Sequence, residues 1–147
     1  MYTIVSADKA SILPDHIPFT DGVVVPFAVE SAVCALSVKE PGPCMPGVFT
    51  PALDLPLPTL EGHTFPIKKT LVVYGASAST GAMVTQLATA AGITVIAISG
   101  SHNFDLAKQC GAAEVFDHKD ASLVENVVAA VKNLNADFVG IFDAISI

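Results

Sequence analysis

The sequence contains no arginine and no tryptophan, and only 14% of its 147 residues are charged. Seven lysines stand against 14 acidic residues, for a net charge of −7. Gripping a nucleic acid takes a basic face that neutralises phosphates, so no nucleic-acid partner is expected. Cysteine is scarce as well. Cys34, Cys44 and Cys110 are far apart, odd in number and free of any Cys-x-x-Cys pair, which leaves neither zinc-finger spacing nor a redox dithiol. Reduced thiols of a cytoplasmic protein are the expectation. Long apolar runs are missing too. Stretches such as Val23-Val24-Val25 are cut by Pro, Gly, Ser or charge, well short of the roughly 18 residues of a membrane span, so no membrane partner is expected. Residues 1–20 hold Asp8, Lys9, Asp15 and two prolines, unlike a signal peptide or an amphipathic transit helix.

What is present is apolar. Hydrophobic residues make up 52% of the chain and mean hydropathy is +0.60. That balance excludes disorder and is enough for one domain with a core. It points to strands buried on both faces of a sheet, which read as uniformly apolar. Some of the surplus apolar surface is expected to meet a further domain.

Three zones follow one another. Residues 1–40 begin with an extended stretch, Tyr2 to Val5, and end in a helix that Thr20 or Asp21 can cap. Pro26 suits its first turn, and Val29, Val33 and Leu36 follow at helical spacing. Residues 41–69 carry seven of the ten prolines and read as an irregular connector. From residue 70 the pattern is regular. Leu71–Tyr74, Thr94–Ile98, Ala113–Phe116 and Phe138–Phe142 read as strands. Helices fill the intervals, two of them stopped by Gly92 and Gly111; a Ser122-x-x-Glu125 capping box opens the last, whose apolar stripe is Leu123, Val124, Val127, Val128 and Val131. Strand and helix alternating in this way predict an α/β fold, a Rossmann-type doubly wound parallel sheet with right-handed crossovers over 70–147. The chain stops after the fourth strand, so the sheet is expected to be truncated.

The chemistry is concentrated where the first strand runs into Gly75-Ala76-Ser77-Ala78-Ser79-Thr80-Gly81 and then a helix. A dinucleotide's diphosphate sits at such a corner. Gly75 permits the tight turn, Gly81 the close helix–strand packing, and Ala78 leaves backbone N–H groups accessible. The hydroxyls of Ser77, Ser79 and Thr80 add donors. The strict Gly-x-Gly-x-x-Gly spacing is not met, and a ligand-free βα turn is the bland alternative. A Walker loop is excluded, because no Gly-Lys-Ser/Thr follows. After the second strand come Ser99-Gly100-Ser101-His102-Asn103, without the Asp or Glu that binds both ribose hydroxyls of NAD. Ser99, Ser101, His102 and Asn103 can donate to a 2′-phosphate, which favours NADP(H). The competing reading is a polar loop capping the next helix through Ser101 or Asn103. Lys108 reads as a solvated residue before a phosphate counter-charge.

These segments, with Gly111 to Asp117 and the ending Phe142-Asp143-Ala144-Ile145-Ser146, resemble the medium-chain dehydrogenase/reductase superfamily. More narrowly they resemble its fungal zinc-binding-dehydrogenase-like and trans-enoyl-reductase-like branch. The resemblance implies NADPH as hydride donor and a small-molecule carbonyl, activated enoyl or quinone acceptor. It implies that residues 1–40 are the end of a catalytic domain and its linking helix, with the rest of that domain absent. It places Ser31, in a Ser-Ala pair, near the nicotinamide, and His118 where relatives often carry a tyrosine that touches the 2′-phosphate. Zinc ligands of such enzymes come mostly from the absent part; His16, His63, His102 and His118 show no ligand spacing, so no metal site is expected here. No catalytic residue is assigned. Asp143, at the end of a strand, reads equally as a border of the nicotinamide half or as a cap. A short-chain dehydrogenase is disfavoured because neither Tyr2 nor Tyr74 has a lysine four residues on. A non-catalytic NADP-binding or redox-sensing module stays open, as does a homo-oligomer.

Overall fold

A computed structural model describes residues 4–40, 42–45, 48–50, 52–59 and 65–145. Tyr2 and Thr3 of the expected first strand lie outside these, and Ile4 and Val5 form no strand. A short 3-10 turn at Ala7–Lys9 precedes helices α1 (Phe19–Gly22) and α2 (Val25–Ser37). Pro26 sits in the first turn of α2, where its missing N–H costs nothing. Thr20 and Asp21 cap nothing. They lie inside α1, and Val24 precedes α2 without a side-chain bond. The buried face is Ala28, Ala32 and Leu36, a strict i, i+4 row one position off the expected valines.

Phe19–Ser37, 19 residues of mean hydropathy 1.5, is long and apolar enough to cross a membrane by length and composition, contrary to the sequence reading. Ala, Gly and Ser interrupt an apolar run without making it polar, and only Asp21 and Glu30 are charged here. Ala32 and Leu36 are nevertheless fully buried, packed in one cluster with the helix that follows the first sheet strand.

The connector is not wholly irregular. Strands β1 (Gly42–Met45) and β2 (Val48–Thr50) pair antiparallel, with a register shift between Pro43 and Met45. A two-stranded ribbon has only edges, so a proline that cannot donate is tolerated. Beyond it the N–H groups of Asp54 and Leu55 donate to the carbonyls of Val38 and Leu36, and Leu55 enters the core.

The main sheet holds β3 (Lys69–Tyr74), β4 (Thr94–Ser99), β5 (Glu114–Asp117) and β6 (Asp137–Asp143), all parallel, in the order β5-β4-β3-β6. Helices α3 (Ser79–Ala90), α4 (Phe104–Gln109) and α5 (Leu123–Asn133) make the crossovers. Side chains alternate between the faces of a strand. Leu71, Val73, Val95 and Ala97 therefore meet α2, α3 and α4, while Val72, Ile96 and Ile98 meet α5. Both faces of β3 and β4 are buried, which is why their sequences are continuous apolar runs. This is the expected Rossmann-type architecture. Gly92 (φ +85°) and Gly111 (φ +104°) end their helices in a left-handed conformation.

The Ser122–Glu125 capping box does not form, because Ser122 precedes α5 without a side-chain bond. Asp120 takes its place, accepting from the Ser122 N–H at 2.9 Å and from the Asn126 amide at 3.0 Å. The α5 stripe is only partly used: Leu123, Val127 and Val131 pack on the sheet, while Val124 is 70% and Val128 44% exposed.

Candidate functional site

Two directions of winding part at β3. The chain goes from β3 to β4 and β5 on one side, then returns to place β6 on the other. The carboxyl ends of β3 and β4 open onto a cleft of about 240 Å³. Such a switch point is where an open parallel sheet takes its ligand, since the flanking loops diverge there.

The turn after β3 forms one wall. Gly75 has φ +76°, open to glycine at little cost. The N–H groups of Gly75 and Ala76 both donate to the Ile98 carbonyl, which pins the turn to β4. A Cβ at Gly81 would lie 2.2 Å from the Gly75 carbonyl oxygen, so only glycine lets α3 start this close to the strand. Ala78 precedes α3, its carbonyl accepting from Ala82. The first N–H groups of a helix, here those of Ser79, Thr80 and Gly81, have no acceptor within the helix, and alanine brings no side-chain oxygen to cap them. They are donors placed for an anion, with the helix dipole behind them.

The loop after β4 forms the opposite wall. Ser77, Ser99, His102, Asn103 and His118 line the cleft with Gly75, so six of the residues expected from sequence come together. Asn103 does not cap α4. Its amide instead donates to Ser77 Oγ at 3.1 Å and so joins the two walls. Ser101 points elsewhere, into a hydrogen bond with Asp117. Ser79 and Thr80 lie on the first turn of α3, off the cleft wall, and Ser31 is a half-buried residue of α2, also off it. His63 lies outside the described residues, and His16 is exposed near the other end of the chain.

Sequence reasoning missed Tyr74, Ile98, Gly100 and Ile145, which also line the cleft. Tyr74 and Ile98 are strand ends, marked by position rather than chemistry. Ile145 comes from the turn after β6, where its N–H donates to Asp143 Oδ1 at 2.9 Å and the Ala144 N–H to the Tyr74 carbonyl at 3.0 Å. It covers Gly75: a Cβ there would meet Ile145 Cγ1 at 2.3 Å. Asp143 thus serves its own turn.

A carboxylate stands near the β4 loop after all, supplied by the neighbouring strand. Asp117, at the end of β5, is held below the ordinary carboxylate range by the Lys119 backbone N–H, by a Ser101 hydroxyl, and by the positive charges of His118 and Lys119. Its Oδ1 lies 3.0 Å from the Lys119 nitrogen and 3.5 Å from His118 Nδ1.

Gly75 and Gly81 are both required by the packing of the turn, since a Cβ at residue 75 would meet Ile145 and one at residue 81 the Gly75 carbonyl. Among the described residues no three His, Cys, Asp or Glu side chains gather to hold a metal ion, and no chemistry is derived through one.

Residues 79–146 match the zinc-binding dehydrogenase family. Dehydrogenase orsE of Emericella nidulans is 64% identical over 146 residues, 99% of this chain and 42% of that protein. Trans-enoyl reductase himH of Aspergillus japonicus is 32% identical over 132 residues, 90% of this chain and 34% of that protein. In fold, the Escherichia coli quinone oxidoreductase solved with NADPH superposes with a TM-score of 0.58 at 20% identity, over 86% of this chain and 32% of that one. These likenesses support the medium-chain dehydrogenase/reductase superfamily, in its fungal zinc-binding-dehydrogenase-like branch, and the chain spans 42% and 34% of the length of the two relatives just described.

Proposed function

We propose that this chain is the nucleotide-binding portion of an NADP(H)-dependent oxidoreductase that reduces a carbonyl, activated enoyl or quinone group of a small molecule. The reading is carried by one observation: the uncapped start of α3 opens beside a cleft at the switch point of a parallel sheet. The cofactor would supply the hydride. The protein's part is binding and orientation. The N–H groups of Ser79, Thr80 and Gly81 offset diphosphate charge. The Asn103–Ser77 bond sets the spacing of the walls, and Ile98 and Ile145 give the cleft apolar surface that excludes water. The β4 loop, lacking its own carboxylate, accommodates a 2′-phosphate better than a free ribose diol. A cytoplasmic location accompanies this reading, as does assignment of residues 1–40 to the end of a catalytic domain.

A second reading is a non-catalytic NADP-binding module. It is favoured by the sparse chemistry of the cleft wall, where among the described residues no carboxylate, thiol or lysine stands and the acid–base groups are Tyr74, His102 and His118. Titration with NADPH and NADH, followed by assays against enones, aldehydes and quinones, separates the readings. Tighter NADPH binding with consumption of NADPH supports the oxidoreductase. Binding without consumption supports the module, and equal or reversed preference defeats the NADP(H) assignment.

A further inference from the structure

The face of the main sheet that carries α5 is covered over one half only. α5 lies on β4 and β5, with Leu123, Val127 and Val131 against the sheet, and β6 stands at the far edge. The register shift in β6 shapes that edge. Phe138 pairs with Thr70 and Ile141 with Val72, so Val139 is an extra residue between them. Paired residues of neighbouring strands point to the same side, and Val72 points to α5. Phe138 and Ile141 therefore both face the α5 side, where they are 50% and 66% exposed. Beside them α5 turns out Val124 and Val128, also exposed. Between the helix and β6 runs a groove of about 470 Å³, floored by Val72 and Ile141, walled by Val124 and Val128, with Asp143 at one end. Exposed apolar side chains gathered round one groove mark a contact surface.

We propose that this groove receives α5 of a second copy of the chain, in a twofold-symmetric dimer in which each α5 fills the other copy's groove. The inference does not depend on the dinucleotide reading of the cleft. It rests on self-complementarity. α5 joins two parallel strands and so runs back against them, with its start at their carboxyl ends, next to Asp143. Its outer row is Val124, Val128 and Lys132, four residues apart and therefore on one stripe. A twofold axis through Val128 sets two such helices antiparallel, Val128 against Val128 and Val124 against Lys132 of the other copy. Each Lys132 then reaches the end of the groove where the other copy has Val124 and Asp143. Lys132 is exposed and is the one basic residue of α5. In a chain of net charge −7, a cation brought to a carboxylate at each end is a specific match, not a general attraction. Asp143 already accepts from the Ile145 N–H, and a carboxylate has room for further donors. An exposed ion pair adds little affinity, so it sets the register while apolar burial supplies the drive. Pairing of the two β6 edges is the less favourable way to join copies. About a twofold centred on Gly140 it would put Asp137 opposite Asp143 at both ends, and like charges directly opposite repel.

The experiment is sedimentation velocity of the purified chain over about a hundredfold range of concentration, since the dimer population follows mass action. The expected result is a shift from monomer to dimer as concentration rises. Val128→Lys, which sets two ammonium groups face to face on the axis, should leave the protein monomeric throughout. Lys132→Glu should weaken association several-fold, and Lys132→Arg should keep it. Both positions are exposed on α5, and a circular-dichroism melt checks that each variant is folded. Should Val128→Lys fail to fold, Lys132→Glu against Lys132→Arg decides. A protein that stays monomeric at every concentration, its groove bare or covered by another segment, overturns the inference. So does a dimer that survives both Val128→Lys and Lys132→Glu; its contact would lie elsewhere, such as the exposed Phe19 and Phe27.

Discussion

Gly81 faces Gly75 across the βα turn so closely that a Cβ on residue 81 would stand 2.2 Å from the Gly75 carbonyl oxygen. The contact is with backbone, so no side chain can swing away to relieve it. It is the point at which sequence, packing and site geometry meet.

Gly81→Ala is expected to destabilise the protein. Replacing glycine by alanine in a helix gains up to about 1 kcal/mol of propensity. Forcing atoms into filled space costs roughly 1–3 kcal/mol, and here the obstacle is backbone of a pinned turn. The clash wins. Urea denaturation should show a net loss, accompanied by weaker dinucleotide binding; a stability gain would mean that the turn relaxes freely.

Leu36→Ala tests whether α2 belongs to the same cooperative unit as the sheet. Leu36 is fully buried in one cluster with residues of α3, β3 and β4. Loss of its side chain should cost roughly 2–5 kcal/mol, as for other buried leucines. Thermal unfolding followed at the far-ultraviolet helix signal is the measurement. An unchanged midpoint would mean that α2 melts separately.

Thr70→Val should stabilise. The Thr70 hydroxyl is buried, with no hydrogen-bond partner among the described residues. Leaving such a group unsatisfied costs about 1–3 kcal/mol, and valine has nearly the same shape without the need. A rise in melting temperature is expected. A fall would reveal a partner for Oγ1, such as a buried water.

Asp117→Asn probes the electrostatics of the β5 end through pH. The folded environment of Asp117 favours its charged form, so its contribution is present above about pH 4, the ordinary aspartate value, and disappears as pH falls through the lower folded value. Asp117→Asn should therefore melt below the unmodified protein at pH 6, with the gap closing as the pH is taken down past the ordinary aspartate value. A gap that persists in acid would assign the effect to shape rather than charge.

How much of this could be read in advance differs from element to element. β3 and β4 are apolar at nearly every position because both faces are covered, and Gly92 and Gly111 mark helix ends that need positive φ. Those features depend on the local chain and were legible. The β1–β2 ribbon was not, because its prolines signal loop unless pairing along an edge is known. The α5 stripe was half misread: periodicity reports which residues share a helix face, but not the angle at which that face meets the sheet. Val124 and Val128 ended up exposed for that reason. The Ser122 cap lost to Asp120, a competition between neighbouring acceptors that spacing does not rank.

By itself, the amino-acid order determined the alternation of strand and helix, the glycines at the βα corner and the set of polar residues available for a ligand. These are local properties, set by backbone conformation and by burial period. Only the folded sheet decided which of those residues meet. It set Asn103 against Ser77 and Ile145 over Gly75, and it took Ser101 and Ser31 off the wall of the cleft. Strands bring their carboxyl ends together side by side, at sequence separations that no local pattern encodes.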